Sequence, residues 1–124
     1  MLFRSMSYNV GLMKRLAASL GEFEQVVLLA ILRLGDNAYG VTIGSEIKKC
    51  TRREPTPGAL YTTLDRLEKK KLVQSRFGDP TPQRGGRAKR YFVVTKKGHA
   101  AVASAQESYR SLLQGLALLG EANA

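Results

Sequence analysis

The sequence has few residues of the kinds that build disulfides, metal sites and catalytic centres. Its 124 residues include one cysteine, one histidine and no tryptophan. A single cysteine excludes an intrachain disulfide and argues against a cysteine-based zinc site. The chain also lacks a phosphate-binding glycine motif, so Cys50 and His99 leave little chemistry for an enzyme. We therefore expect no catalysis, no metal and no cofactor, with His99 at the surface and Cys50 as a small apolar side chain at a helix end.

Long apolar runs are absent too. The longest spans residues 26–32, whereas a membrane-spanning helix needs about 18 residues or more. The length predicts one domain with a modest core. Nothing in the sequence requires an oxidising compartment, so the expected location is the cytoplasm and no membrane partner is expected.

Acidic residues are scarce. The chain has 20 lysines and arginines against 10 aspartates and glutamates, which gives a formal net charge of +10 and an isoelectric point near 10.1. Such an excess favours polyanionic partners, nucleic acid first and anionic membrane second, although general solubility is an alternative explanation. The charge is local, because residues 80–106 contain six basic residues and no acidic one. This distribution indicates a surface for nucleic acid.

Hydrophobic periodicity predicts two helices in the first half of the chain. Apolar residues at helical spacing indicate a helix over residues 22–34, which is apolar on most sides and therefore central. Gly35 provides a stop. A second helix over about residues 39–49 follows from Tyr39, Ile43 and Ile47, which recur every four residues.

A third helix is marked by its first residues. Thr56 is a good N-cap, and Pro57 suits the first helical position because its missing N–H would be unpaired there anyway. The leucines at positions 60, 64 and 67 form a buried stripe. At about 100° per residue, the opposite face carries small, polar and charged residues, namely Gly58, Tyr61, Thr62, Asp65, Arg66 and Lys69.

Two strand candidates follow, at residues 72–77 and 90–95, with a long basic loop between them. A helix-turn-helix followed by such a hairpin is a winged helix, so the predicted fold class is mainly α with a small β-hairpin (α+β). Prolines stiffen the loop and two glycines let its tip approach a backbone closely. Its basic residues are suited to phosphate or a minor groove, and they are Arg84, Arg87, Lys89 and Arg90.

A last helix is predicted from Thr95, as its cap, to about Leu119. Its apolar residues are separated by alternating steps of three and four, which is a heptad seam: Val102, Ala105, Tyr109, Leu112, Leu116 and Leu119. The seam could pack on its own domain, but three helices upstream already supply a core. We therefore predict that it pairs with a second copy of the chain as a homodimer.

The remaining segments complete the predicted organisation. Residues 1–20 form an N-terminal arm, in which Met13, Leu16 and Leu20 are compatible with one apolar stripe on a short helix. Residues 21–95 form the winged helix-turn-helix domain, residues 96–119 the dimerisation helix and residues 120–124 a tail.

Three segments carry a resemblance to a known family: "LGEFEQVVLLAILRLGDNAYGVTI", "TPGALYTTLDRLEKKKLV" and "GDPTPQRGGRAKRYFVVTKKG". From about Leu20 to Gly98 the chain resembles the PadR-like family of bacterial transcriptional regulators. The resemblance implies a winged helix-turn-helix that binds a palindromic operator in double-stranded DNA as a homodimer. It also implies repression in most cases, often released by a small-molecule effector.

Carried over by position, residues 56–66 correspond to the recognition helix and residues 83–90 to the wing tip. Tyr61 and Thr62 match family residues expected near the DNA backbone. Two features depart from the family. Lys71 replaces a glycine at the end of the third helix, where a left-handed conformation would cost roughly 1 kcal/mol. The chain also lacks the tryptophan of members that hold flat drugs between aromatic side chains.

A winged-helix protein-interaction or RNA-binding module is the alternative function, because a fold does not fix function. A wing that binds protein would mix charges or expose apolar groups. The acid-free wing therefore favours DNA.

Overall fold

The computed structural model describes residues 20–79 and 88–118. These residues form four α-helices, one 3₁₀ turn and one two-stranded antiparallel sheet. The prediction of a mainly α fold with a small hairpin is confirmed. In chain order the elements are α1 (Glu22–Leu34), the 3₁₀ turn (Gly35–Asn37), α2 (Gly40–Thr51), α3 (Pro57–Lys69), β1 (Val73–Phe77), β2 (Arg90–Val94) and α4 (Lys96–Leu113).

Helix α1 lies at the centre of the domain, as its broad apolar surface predicts. It contacts α2, α3, α4 and β2, and Val27, Leu28 and Ile31 are buried. Its first turn is closed by Glu24, whose carboxylate accepts a hydrogen bond from the Gly21 amide at 2.7 Å. The same buried carboxylate accepts from Lys70 at 3.0 Å, which ties the start of α1 to the end of α3.

Helices α2 and α3 form the helix-turn-helix on this central helix. The Thr56 side chain caps α3 by accepting a hydrogen bond from the amide of residue 59 at 3.1 Å, and Pro57 is the first helical residue. Leu60, Leu64 and Leu67 are buried as predicted. The charged face of α3 is consequently turned outward.

The turn after α3 places Lys71 in the left-handed backbone conformation that the sequence analysis considers for this position. Lys71 has φ 64°, in the left-handed region, where a non-glycine residue costs roughly 1 kcal/mol or more. The Leu72 amide donates to the Leu67 carbonyl at 2.9 Å, and the Lys71 carbonyl accepts from the Thr95 side chain at 2.8 Å. Strand β1 then begins at Val73, one residue later than predicted.

The hairpin pairs Val73 with Val94 at its base and Phe77 with Arg90 at its outer end. It is attached to the helix-turn-helix through the start of α2. The Phe92 amide donates to the Ala38 carbonyl at 2.9 Å, and Tyr91 forms an isolated bridge with Tyr39. The wing thus leaves the domain from a fixed base.

Helix α4 begins as predicted, with the Thr95 side chain accepting from the Gly98 amide at 3.0 Å. Its predicted end at about residue 119 is wrong, because α4 ends at Leu113. Gly115 follows with φ 79°, and the Leu116 amide donates to the Leu113 carbonyl at 3.0 Å. A glycine just after the last turn is a common helix stop. The apolar heptad pattern continues beyond this glycine, so the predicted helix was too long.

Only the first part of the predicted heptad seam is buried within the chain. Val102 and Ala105 are buried within the chain, whereas Tyr109, Leu112 and Leu116 are exposed. Leu116 lies after the helix, and the sixth seam residue, Leu119, lies outside the described residues. Over residues 20–79 and 88–118, no helix is long and apolar enough to cross a membrane.

Candidate nucleic-acid interface

The outward face of α3 presents the side chains that the helical projection placed there. All six are exposed: Gly58, Tyr61, Thr62, Asp65, Arg66 and Lys69. A Cβ built at Gly58 would have no heavy atom within 4 Å, so no packing inside the domain requires a glycine there. The position therefore leaves room for another molecule beside the first turn of α3.

Tyr61 closes the gap between α3 and α2. A Cβ at Gly40 would lie 2.2 Å from the Tyr61 hydroxyl oxygen, so the ring occupies the space that a side chain at position 40 would need. Tyr61 as a whole residue remains 40% exposed. Its apolar ring is thus supported by α2 while part of it faces solvent, which explains how an exposed tyrosine shields its ring.

A groove of about 340 Å³ continues from Tyr61 along α2. It is lined by Val41, Ser45 and Lys48 on α2 and by Pro57 at the start of α3, among others. Ser45 and Lys48 were not predicted for this surface from the sequence. Their spacing of three residues on one helix, next to the recognition helix, is the signal that could have identified them.

Lys89 lies next to Arg90 at the outer end of the hairpin, against an aromatic pair. Its Nζ is 4.5 Å from the centroid of the Tyr39 ring and 3.4 Å from the Tyr39 hydroxyl oxygen. The Tyr39 and Tyr91 rings meet edge to face with centroids 5.5 Å apart, and Arg76 stacks on the Tyr91 ring at 5.2 Å. The contacts with Tyr39 hold the Lys89 ammonium group beside the start of α2.

Arg90, which the sequence predicts to meet phosphate or a minor groove, pairs with acidic side chains of α3. It is the first residue of β2, and its guanidinium binds Glu68, lies 3.4 Å from the Asp65 carboxylate and donates to Ser75 at 3.2 Å. Its side chain is only 27% exposed. Two carboxylates of α3 and one hydroxyl group of β1 therefore contact the Arg90 guanidinium. The two other predicted wing arginines, Arg84 and Arg87, lie outside the described residues.

The exposed apolar residues at the chain's other end form a separate surface. Leu112 is 73% exposed and Tyr109 is 50% exposed, and Leu116 is 59% exposed just beyond the helix. Leu113 and Leu118 add to this group at 44% and 45%. We refer to these five residues as the C-terminal apolar group.

The histidine, the cysteine and the acidic side chains in the described part of the chain are the candidates for metal binding. No three histidine, cysteine, aspartate or glutamate side chains there could hold a metal ion together. His99 is exposed, and Cys50 is exposed in the last turn of α2. Its Sγ lies 3.6 Å from Glu46. The hydrogen bond from Arg33 to Glu46, at 2.6 Å, lowers the pKa of that carboxyl group and raises the pKa of Arg33.

Comparison with known proteins gives the same family that the motifs indicate. The model of the Transcriptional regulator PadR-like family matches residues 28–104, which is more than half of the chain. Among curated proteins, none matches at a significant level.

Solved structures share the fold. The complex of hsRosR-S4 is 25% identical, with a TM-score of 0.66 over 85% of this chain and 84% of that chain. A PadR-like transcription factor from Bacteroides fragilis is 25% identical, with a TM-score of 0.60 over 84% and 91%. A PadR family transcription regulator from Clostridium difficile R20291 is 22% identical, with a TM-score of 0.60 over 73% and 90%. By its motifs, its fold and the family match, the chain belongs to the PadR-like family of transcriptional regulators.

Proposed function

We propose that this regulator binds a palindromic operator in double-stranded DNA as a homodimer and represses transcription. One observation carries the proposal: the exposed polar face of α3 lies beside a basic hairpin, on a chain with a net charge of +10. A recognition helix needs such a face to reach base edges, and the charge supplies attraction for phosphates.

In this proposal the first turns of α3 enter the major groove. Gly58 lets the helix approach closely, and Thr62 reaches a base edge or a phosphate. Arg66, one turn further along, meets the DNA backbone. Tyr61, with its ring resting against α2, lies where the backbone passes. Lys89 and the loop arginines follow the flanking backbone or the minor groove.

The homodimer is proposed from the C-terminal apolar group. Five large apolar residues in this short segment are 44–73% exposed, and a concentration of exposed apolar residues is typical of an interaction site. A second copy can cover it through a two-fold interface, in which the same residues of both chains meet. The two recognition helices are then related by two-fold symmetry, and the operator acquires matching half-sites. Repression and release by a small-molecule effector are proposed from the family resemblance.

Selection of bound sequences from a random duplex pool tests the function. We expect a palindromic sequence to be enriched and to bind more tightly than a scrambled duplex of the same length and composition. RNA of the same length is the comparison for the alternative module. Equal binding to the enriched and scrambled duplexes, or tighter binding to the RNA, would contradict the proposal.

A further inference from the structure

Arg90 joins the hairpin to the recognition helix α3. Its guanidinium binds the Glu68 carboxylate and lies 3.4 Å from Asp65, both on α3. The other Glu68 oxygen accepts a hydrogen bond from Ser75 of β1 at 2.8 Å, and Arg90 itself donates to that hydroxyl at 3.2 Å. Arg90, Glu68 and Ser75 therefore form a closed triangle that joins α3, β1 and β2.

The triangle is more protected than an ordinary surface ion pair. The Arg90 side chain is 27% exposed and that of Glu68 is 36% exposed, and the guanidinium also stacks over the Phe92 ring at 4.9 Å. Phe92 is buried in the core. A planar guanidinium with two hydrogen-bonded partners and a ring beneath it has a fixed orientation, so the triangle fixes how β2 lies against α3.

The triangle lies between the two elements that we propose to contact DNA, the hairpin and α3. Arg90 pairs with Phe77 at the outer end of the hairpin, where the basic loop begins. Glu68 lies in the last turn of α3, whose first turns we propose to read bases. A rotation of the hairpin about its base would move the loop relative to α3, and the triangle opposes that rotation.

We propose that Arg90 is a positioning residue that holds the wing at a fixed angle to the recognition helix, and that it does not contact DNA. This inference rests on the proposed function, because it concerns how two DNA-binding elements are coupled. The fixed angle between the wing and α3 affects how strongly the protein prefers its operator to random DNA. When both elements are held in one geometry, only an operator with correctly spaced features satisfies them together.

Four variants test the inference: Arg90→Gln, Glu68→Gln, the double variant, and Arg76→Gln as control. Arg76 lies on β1 and stacks on Tyr91, so its removal takes the same charge from the same hairpin without touching the triangle. Binding to the selected operator and to a random duplex is measured at several salt concentrations. Thermal unfolding of each variant shows that it is folded.

We expect Arg90→Gln to lower the ratio of operator to random affinity about tenfold, a typical coupling between residues in one network, with the salt slope unchanged. Glu68→Gln should lower the ratio in the same way. A lower ratio for Glu68→Gln would indicate a positioning role. If Glu68 acted only through its charge, losing the carboxylate would strengthen the attraction to phosphate on both DNAs. The double variant should lose no more than either single variant, and Arg76→Gln should keep the ratio.

Two results would overturn the inference. If Arg90→Gln flattens the salt slope by about 0.9 for each subunit, Arg90 contacts a phosphate. If Glu68→Gln leaves the ratio at its wild-type value, the triangle does not set specificity, and this holds even if the Arg90 variant fails to fold. A wild-type protein with no operator preference would instead contradict the proposed function.

Discussion

Gly98, in the first turn of α4, lies against the carbonyl oxygen of Leu72. A Cβ at position 98 would be 2.2 Å from that oxygen, which is well inside contact distance. The obstacle is backbone, so it cannot swing aside as a side chain would. Leu72 also accepts a hydrogen bond from the Thr95 amide at 3.0 Å. The junction of α3, β1 and α4 is therefore closed around a position that has no side chain.

Gly98→Ala should destabilise the fold by about 1–3 kcal/mol, because overpacking shifts this backbone junction. Urea unfolding at constant m-value measures the change. Gly58→Ala is the matched control, since that glycine also lies in the first turn of a helix but has open space around it. The control should gain up to about 1 kcal/mol from helix propensity. Equal stability of Gly98→Ala and wild type would show that the junction tolerates a side chain.

Thr62→Ala should reduce discrimination between operator and random duplex by about 1 kcal/mol or more, if the hydroxyl reads a base edge. Competition binding at fixed salt measures both affinities. Lys69→Ala, near the C-terminal end of the same exposed face, is the control and should weaken both DNAs equally. An equal loss on both DNAs for Thr62→Ala would assign its side chain to phosphate binding.

Leu112→Asp combined with Leu116→Asp should convert a dimer into a monomer, because each buried contact would become a carboxylate without a partner. Sedimentation at micromolar concentration measures the mass. Val41→Asp is the control. Val41 is 72% exposed and Leu112 is 73% exposed, but Val41 lies on α2, outside the C-terminal apolar group. A wild-type protein that sediments as a monomer at this concentration would show the dimer proposal to be wrong.

Arg84→Ala combined with Arg87→Ala tests the loop, for which the expectation comes from the sequence alone. Each arginine bound to a phosphate adds about 0.9 to the log–log salt slope, so removing as many as four such arginines from a dimer would flatten the slope by up to about 3.6. The ratio of operator to random affinity should change little. Lys96→Ala with Lys97→Ala removes equal charge from α4 as a control. An unchanged slope in the loop variant, with the fold intact, would remove the wing from the mechanism.

Local signals in the sequence were sufficient for the helix-turn-helix. The Thr56–Pro57 pair marks the start of α3 and the leucine stripe its buried face, because caps and periodicity depend only on near neighbours. The end of α4 was missed for the converse reason. The apolar seam continues past Gly115, and the glycine's left-handed backbone, with φ 79°, ends the helix despite it.

The partners of Arg90 could not be predicted from local sequence patterns. Glu68 is 22 residues away in sequence and Asp65 is 25 residues away, and their meeting requires the hairpin to fold back on α3. A charge pattern can show that residue 90 is basic and near a loop. The charge pattern cannot distinguish an arginine that is exposed to solvent from one that forms ion pairs with a neighbouring element.

The hydrogen bond from the Phe92 amide to the Ala38 carbonyl has a consequence for how the protein opens. It spans more than fifty residues of sequence and lies between two buried residues, so the base of the wing belongs to the same cooperative unit as α1 and α2. Within the described residues, the outer pair of Phe77 and Arg90 is joined to the domain through the Arg90 side chain on α3 and not through a backbone hydrogen bond to the core. In native-state hydrogen exchange, the Phe92 amide should therefore exchange only when the whole domain unfolds, and the amides of the outer pair should exchange through local opening. Opening of the wing from its outer end therefore requires the Arg90–Glu68 contact to break, while the helix-turn-helix stays folded.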